Sequence, residues 1–303
     1  MGIPFATGTL WETIQQRTQS ALQCNTLLPI TTQQAILPDQ GVDFLVRQVS
    51  SLTQKHKLKM QLESAADSAE NPFLPYDPEL FVSDVTDKHI CLLNKFNVIE
   101  NHVLVVTREF EHQECLLSEA DFAAWFYCMT EFPALGFYNG GVGAGASQSH
   151  KHMQLIPLPM GSGEYECPMI PLLQNAKSKQ SQGSEVLFSV ALPFKHAIIE
   201  LQADEMRHET TAAAYLLACY NALLAAAGIQ AVGGRQSAPY NLLITRQWMW
   251  LVPRTQECFE TISINALGFA GSLFVRNAAQ FDLLRRVGPM HVLQSVSESQ
   301  ANC

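Results

Sequence analysis

No stretch of this chain approaches the run of about 18 apolar residues that a membrane-crossing helix needs, and no basic segment followed by an apolar core opens it as a secretory leader would. A cytoplasmic, non-membrane protein is the expectation. Charged residues are scarce, at 16% against a hydrophobic share of 47%, which describes a globular protein with a sizeable core and not a disordered one. Basic residues are in the minority: the formal net charge is -9, and a surface of that sign repels the phosphates of nucleic acid. A small anionic ligand is not excluded, because a few cations and backbone N–H groups act at short range where the distant field is screened. The eight cysteines include no Cys-x-x-Cys pair and are scattered from Cys24 to Cys303. That spacing argues against a zinc ribbon or a disulfide framework and for reduced thiols, several of them in apolar surroundings.

Among what is present, Thr7 or Thr9 can cap a first helix with Leu10, Ile14 and Leu22 on one face. Ser64–Glu70 reads as a polar loop. The runs Ile90–Leu93 and His102–Thr107 suit an antiparallel pair of strands, and Ser118-Glu-Ala-Asp121 opens a helix in capping-box fashion. Gly136–Asn139 is a short strand, followed by a glycine-rich loop and a strand from His150 to Leu158. The polar segment Gln174–Gly183 reads as a linker. Beyond it come strands at Val186–Leu192 and His196–Leu201, an alanine-rich helix over about Asp204–Ala227 stopped by Gly228, and a hairpin of Tyr240–Thr245 with Trp248–Val252. A helix near Ala278–Arg286 and a polar tail complete the chain. Adjacent strand pairs with separated helices favour an α+β fold over a doubly wound parallel sheet.

The chemistry concentrates in one place. Along a strand, residues i, i+2 and i+4 share a face, so His150, His152 and Gln154 are expected on one side and Lys151, Met153 and Leu155 on the other. Just upstream, glycines at 140, 141, 143 and 145 let the backbone present several N–H groups to an anion. The loop lacks the terminal Gly-Lys-Ser/Thr of a Walker A sequence, and it leads into a strand where a dinucleotide fingerprint opens a helix. Three readings remain open on these residues alone. The His-x-His pattern is incidental, or it is part of a metal site that lacks a third good ligand, or a neutral imidazole attacks phosphorus while the loop and Gln154 hold the phosphoryl oxygens.

The segment Gly145-Ala-Ser-Gln-Ser-His-Lys-His-Met-Gln-Leu-Ile-Pro157 resembles the active-site segment of the histidine-triad superfamily. More narrowly it is similar to the diadenosine tetraphosphate phosphorylases, also called ATP adenylyltransferases. Asn71–Pro75, Leu93–Val98, Val105–Phe110, Ala238–Leu243, Trp250–Arg254 and Asn265–Gly271 resemble other parts of that family in the same order. Ser149 departs from the proline or acidic residue expected there. The resemblance implies a histidine-triad-like antiparallel sheet core with flanking helices in residues 1–172 and a C-terminal α+β region over 185–303, packed together.

It also implies a function. His152 would attack the α-phosphorus of diadenosine tetraphosphate, expel ATP and pass the AMP to inorganic phosphate as ADP, reversibly. Gln154 stands where the superfamily's hydrolases carry histidine, which favours phosphate over water as acceptor. His150 would orient the loop or touch phosphate. Gly145, Ala146, Ser147 and Gln148 would hold phosphoryl oxygens with Gln154, Asn139 would bind phosphate or position the loop, and Lys95 is the leading cation. No cofactor or protein-bound metal is expected, although a divalent ion such as magnesium can travel with the polyphosphate. The expected partners are thus small nucleotides (diadenosine tetraphosphate, ATP, ADP) and phosphate. Lys55, Lys57 and Lys59 form a cluster that would meet a polyphosphate or lie on an exposed charged face, and Arg246 or Arg254 would reach the phosphates or lie on the surface. His102, His112, His196, His208 and His291 read as structural, and Phe96 and Tyr76 as pocket-lining or core. A hexose-1-phosphate uridylyltransferase and a non-catalytic adenine-nucleotide sensor are the rivals.

Overall fold

The computed structural model describes residues 6–50, 71–178, 186–207 and 209–300. Lys55, Lys57, Lys59, His208 and the Ser64–Glu70 segment lie outside those residues. The first helix, α1 (Leu10–Gln23), buries Leu10, Ile14, Thr18 and Ala21, whereas Leu22 is exposed. Neither threonine caps it through its side chain. Thr9 Oγ1 turns back to the Ala6 carbonyl, and the Glu131 carboxylate accepts from the N–H groups of Gly8 and Leu10 at 2.9 and 3.0 Å. A carboxylate from a distant helix thus does the work expected of a local hydroxyl.

Two strands without a clear sequence signature follow, β1 (Thr32–Asp39) and β2 (Val42–Val49), which pair as a hairpin. A third unmarked strand is β3 (Phe81–Thr86), whereas β4 (His89–Leu93) and β5 (Val103–Thr107) match the apolar runs. Helix α2 (Glu119–Glu131) opens on the expected capping box, with Asp121 Oδ2 accepting from Ser118 N at 2.7 Å. Then come β6 (Ala134–Gly140) and β7 (His152–Pro157). The strand therefore begins at His152; His150 makes only an isolated bridge to His112.

The described part of the segment read as a linker, 174–178, has regular structure. Gln174 ends a short helix, α3 (Ile170–Gln174), and β8 (Lys177–Ser178) pairs with β9 (Leu187–Phe188). The strands expected at Val186–Leu192 and His196–Leu201 shorten to β9 and β10 (Ala197–Glu200). Helix α4 (Glu209–Ala227) runs to Gly228, whose φ of +75° ends it. A two-residue hairpin, β11 (Ala231–Val232) and β12 (Arg235–Gln236), precedes the predicted one, β13 (Tyr240–Ile244) and β14 (Trp248–Pro253). After a second small hairpin, β15 (Cys258–Phe259) and β16 (Ile262–Ser263), the chain adds β17 (Ser272–Val275) and helix α5 (Ala278–Val287). The supposed polar tail contains helix α6 (Pro289–Ser295), with Met290, Val292 and Leu293 buried.

Ten strands form one sheet in the order β3-β4-β5-β7-β6-β13-β14-β10-β9-β8, all antiparallel. Strands from both halves of the chain join where β6 pairs with β13 along Gly136–Gly140. One face packs on α1, α2 and α4 through Val103, Val105, Met153, Leu155, Leu242 and Met249. The other face, through Phe137, Ile156, Leu243 and Trp250, packs on the β1-β2-β17 sheet and the C-terminal helices. Residues that alternate along a strand thereby enter different cores, so the period of two carries real burial on both sides. The molecule is an α+β protein built on an antiparallel sheet.

Candidate active site

Strands β4, β5, β7 and β6 form the floor of a cavity of about 750 Å³ on the face opposite the long helices, with Leu92, Leu104, Gln154, His152 and Asn139 pointing into it. The Pro72–Asp77 segment and the Ser263–Gly268 and Ser272–Arg276 segments close its sides. Among the described residues, its charged lining is Arg47, Lys95 and Arg276 against the carboxylate of Asp77. In a chain of net charge -9, this cavity is lined by more cations than carboxylates, which suits an anionic ligand.

His152 and Gln154 line the cavity as the alternation along β7 requires, while Met153 and Leu155 enter the opposite core. His152 Nδ1 lies 2.8 Å from the His150 carbonyl oxygen. A carbonyl only accepts, so Nδ1 carries the proton and Nε2 keeps its lone pair. Burial pushes the imidazole down to about 4, so the ring is neutral in ordinary buffers.

His150 is the exception to the one-face row. It is buried behind the site and does not line the cavity. Asn71 Nδ2 donates to its Nδ1 at 2.9 Å, and its Nε2 donates to the Thr107 carbonyl at 2.8 Å. Because residue 150 precedes the strand, the i, i+2 rule does not govern its side chain. Its carbonyl, not its ring, faces the nucleophile. Asn71 comes from the Asn71–Pro75 segment, whose Phe73 ring packs 5.4 Å from that of His152.

Strands β6 and β7 pair only from Ala134↔Pro157 to Phe137↔Gln154 and then separate. Gln113 fills the gap. Its Oε1 accepts from His152 N at 2.9 Å, and its Nε2 donates to the carbonyls of Asn139 and His152 at 2.9 and 3.3 Å. Nothing in the sequence marked this residue, because its role exists only where two strands diverge.

In the glycine-rich loop, Gly145, Ser147 and Gln148 line the cavity, whereas Ala146 is buried and does not. Gly145 has φ of +87°, and a Cβ there would sit 2.7 Å from the Ile264 carbonyl oxygen, so glycine is required on two counts. Asn139 Oδ1 accepts from Asn241 Nδ2 and Ala266 N, both at 2.9 Å, which leaves its amide NH₂ as the end free for a ligand. Lys95 lines the opposite wall with its ammonium 6.0 Å from the Phe96 ring centroid, and Tyr76 lines it as well.

Of the two arginines expected at the phosphates or on the surface, one departs from both readings. Arg254 is neither surface nor phosphate-facing: it is buried and donates to Asn241 Oδ1 and to the carbonyls of Ile264, Val296, Gln256 and Glu257. Arg246 is exposed, as the surface alternative had it, and donates to the Met129 and Thr130 carbonyls at the end of α2. The cations that sequence reading missed are Arg276, just past β17, and Arg47 on β2, the latter buried against Ser272 Oγ and the Met160 carbonyl. A lone arginine in the apolar run Phe44–Val49 was the only signal of Arg47. Of the histidines read as structural, His102 also enters the cavity wall. Among the described residues no cluster of three or more His, Cys, Asp or Glu side chains could hold a metal ion, and no helix is long and apolar enough to cross a membrane.

The geometry can be set beside known proteins. Residues 2–175 match the model of the Ap4A phosphorylase N-terminal domain, and residues 190–299 match that of the ATP adenylyltransferase C-terminal domain. The diadenosine 5',5'''-P1,P4-tetraphosphate phosphorylase 2 of Saccharomyces cerevisiae is 28% identical over 249 residues, covering 75% of each chain. Protein APA1 of the same yeast is 26% identical over 262 residues, 80% of this chain and 79% of that one. The crystal structure of yeast Ap4A phosphorylase Apa2 superposes with a TM-score of 0.79 at 22% identity, over 99% of this chain and 98% of that one, which shows a shared fold. With family models matching both halves, the chain belongs to the Ap4A phosphorylase, or ATP adenylyltransferase, family of nucleotidyltransferases.

Proposed function

We propose that the protein phosphorolyses diadenosine tetraphosphate to ATP and ADP, reversibly, through an AMP-histidine intermediate on His152. The observation that carries this reading is the His152 tautomer: Nδ1–H is tied to the His150 carbonyl, and the Nε2 lone pair belongs to a ring on the cavity wall. The Nε2 lone pair attacks the α-phosphorus, an N–P bond forms, and the P–O bond to the ATP leaving group breaks. Nδ1–H stays on the His150 carbonyl, which stabilises the positive charge gained by the ring. An oxygen of inorganic phosphate then attacks the same phosphorus and releases ADP and neutral His152.

Gln154, Asn139 and the Gly145–Gln148 backbone supply donors for the phosphoryl oxygens, and Lys95, Arg47 and Arg276 offset the charge of the phosphate chain. His150 acts through its carbonyl and its bond to Asn71, as a positioning residue. Residues 1–172 carry the nucleophile, and 185–303 complete the cavity wall through Ser263–Arg276, as two regions of one sheet. The cytoplasm is the compartment we assign; among the described residues the buried Cys91, Cys128 and Cys167 are free thiols.

The test is product analysis with α-labelled dinucleotide. ATP plus ADP formed only when phosphate is present, with an acid-labile label on His152, supports the reading. Equal turnover without phosphate points to hydrolysis, and tight binding without turnover to a sensor.

A further inference from the structure

An amide side chain has two ends of nearly equal shape, so sterics alone do not choose which end of Gln154 faces a ligand. Hydrogen bonding does, through a chain that starts at a backbone group. The Phe96 N–H donates to Asn94 Oδ1 at 3.3 Å. A backbone N–H cannot accept, so Asn94 presents its NH₂ to His102, where Nδ2 lies 3.1 Å from Nδ1. His102 Nδ1 therefore accepts, and the proton of the neutral ring sits on Nε2. That nitrogen lies 3.0 Å from Gln154 Oε1 and donates to it.

We propose that Asn94 and His102 form a positioning relay that locks the Gln154 amide with its oxygen turned away and its NH₂ directed at the phosphoryl oxygens of the substrate. This rests on the adenylyl-transfer reading above. Register explains why the groups meet. Asn94 N donates to the His102 carbonyl at 2.9 Å, which extends the β4–β5 ladder one step past Leu93↔Val103. Gln154 pairs with Leu104 on β5, and His102 stands two residues from Leu104 on the same face, a diagonal neighbour within reach of a long side chain. Burial, foremost, and the neighbouring His152 hold the His102 ring down to about 4 against the pull of its bond to Gln154, so the neutral single tautomer persists across the working range.

Without the relay the Gln154 amide is free to turn. Its carbonyl would then oppose the phosphoryl oxygen, and the donor would have to be reoriented at the moment of reaction. His102 thus acts on the chemistry through the Gln154 amide, as a positioning residue.

Two measurements on the full-length protein test the proposal. Long-range ¹H–¹⁵N correlation of the His102 imidazole at neutral pH is expected to show a protonated Nε2 and a bare Nδ1. The opposite tautomer, or a doubly protonated ring, overturns the relay whether or not the dinucleotide is a substrate. In phosphorolysis, His102→Leu is expected to lower kcat by about 10- to 100-fold with KM little changed. Combined with Gln154→Ala it should be no worse than Gln154→Ala alone, because His102 acts only through that amide. His102→Gln, whose amide nitrogen can replace the Nε2 donor, should recover most of kcat. Multiplicative losses in the double variant, or full activity of His102→Leu, would reject the proposal. Absence of any turnover in the wild-type protein would instead remove the functional reading and leave the tautomer measurement to judge the relay.

Discussion

At the scale of single residues, two neutral imidazoles line the same cavity, and backbone groups decide the tautomer of each. His152 is set by the His150 carbonyl on its Nδ1, and His102 by the Phe96 N–H acting through Asn94. The first consequence is a pH profile. Nucleophilic attack requires unprotonated His152, whose folded pKa is pushed down to about 4 by burial. Single-turnover release of ATP should therefore stay flat from about pH 8 to about pH 5 and fall only as the pH drops through that value. A midpoint near 6.5 would mean an unburied ring. The second consequence is the effect of removal. His152→Ala should reduce phosphate-dependent turnover by on the order of 10⁴-fold or more, with the far-UV circular dichroism spectrum unchanged. A few-fold loss would reject covalent catalysis.

Lys151, just before β7, ties the nucleophile to the helix layer. Burial alone would lower its ammonium, yet Asp121 and Glu111, at 3.0 and 2.8 Å, hold it above its ordinary value. The same carboxylate of Asp121 belongs to the capping box of α2, so the nucleophile's neighbour pins the strand to that helix.

At the scale of elements, the site depends on how the glycine-rich loop is held between β6 and β7. Arg254 is central to this: its guanidinium satisfies Asn241 Oδ1 and the Ile264 carbonyl, and Asn241 in turn holds Asn139 Oδ1 and the Ala144 carbonyl. Arg254→Met would leave several buried acceptors without donors. The expected cost is about 3 kcal/mol or more, read as a lower urea midpoint. Gly145→Ala tests the loop itself. With φ at +87° and the Ile264 carbonyl in the way, it should cost about 1–2 kcal/mol and distort the donors. Unchanged kcat/KM in that variant would show that the loop does not contact the reacting phosphate.

At the scale of the molecule, the two family-model segments share one sheet. Cutting between them would expose the edge of β6, an entirely buried strand that pairs with β13 through Gly136–Gly140. Residues 1–178 expressed alone should therefore fail to give a dispersed amide NMR spectrum. Stability should also track the buried imidazoles. His102 and His152 titrate at about 4 in the fold against about 6.5 in an unfolded chain, so between those values the unfolded state binds more protons. Their contribution is complete above about pH 6.5 and is lost as the pH falls towards 4, which thermal melts across that range would reveal.

The sequence by itself determined the features that depend on neighbours along the chain. These include the β4–β5 pair, the capped helix α2, the β13–β14 hairpin, the placement of His152 and Gln154 on one strand face, and the glycine at 145. Each follows from a period, a cap or a backbone dihedral, which act over a few residues. Tertiary structure alone decided the rest. Glu131 caps α1 across more than a hundred residues, Gln113 fills the split between β6 and β7, and Arg47 reaches the cavity from β2. Arg254 is drawn into the interior by carbonyls from distant segments. His150, first in the sequence motif, turns its ring behind the site because the strand begins two residues later, and His102, which looked merely structural, becomes the partner of Gln154. Hydrogen bonds between distant groups form only once the packing that brings them together exists, so composition, period and spacing carry no trace of them.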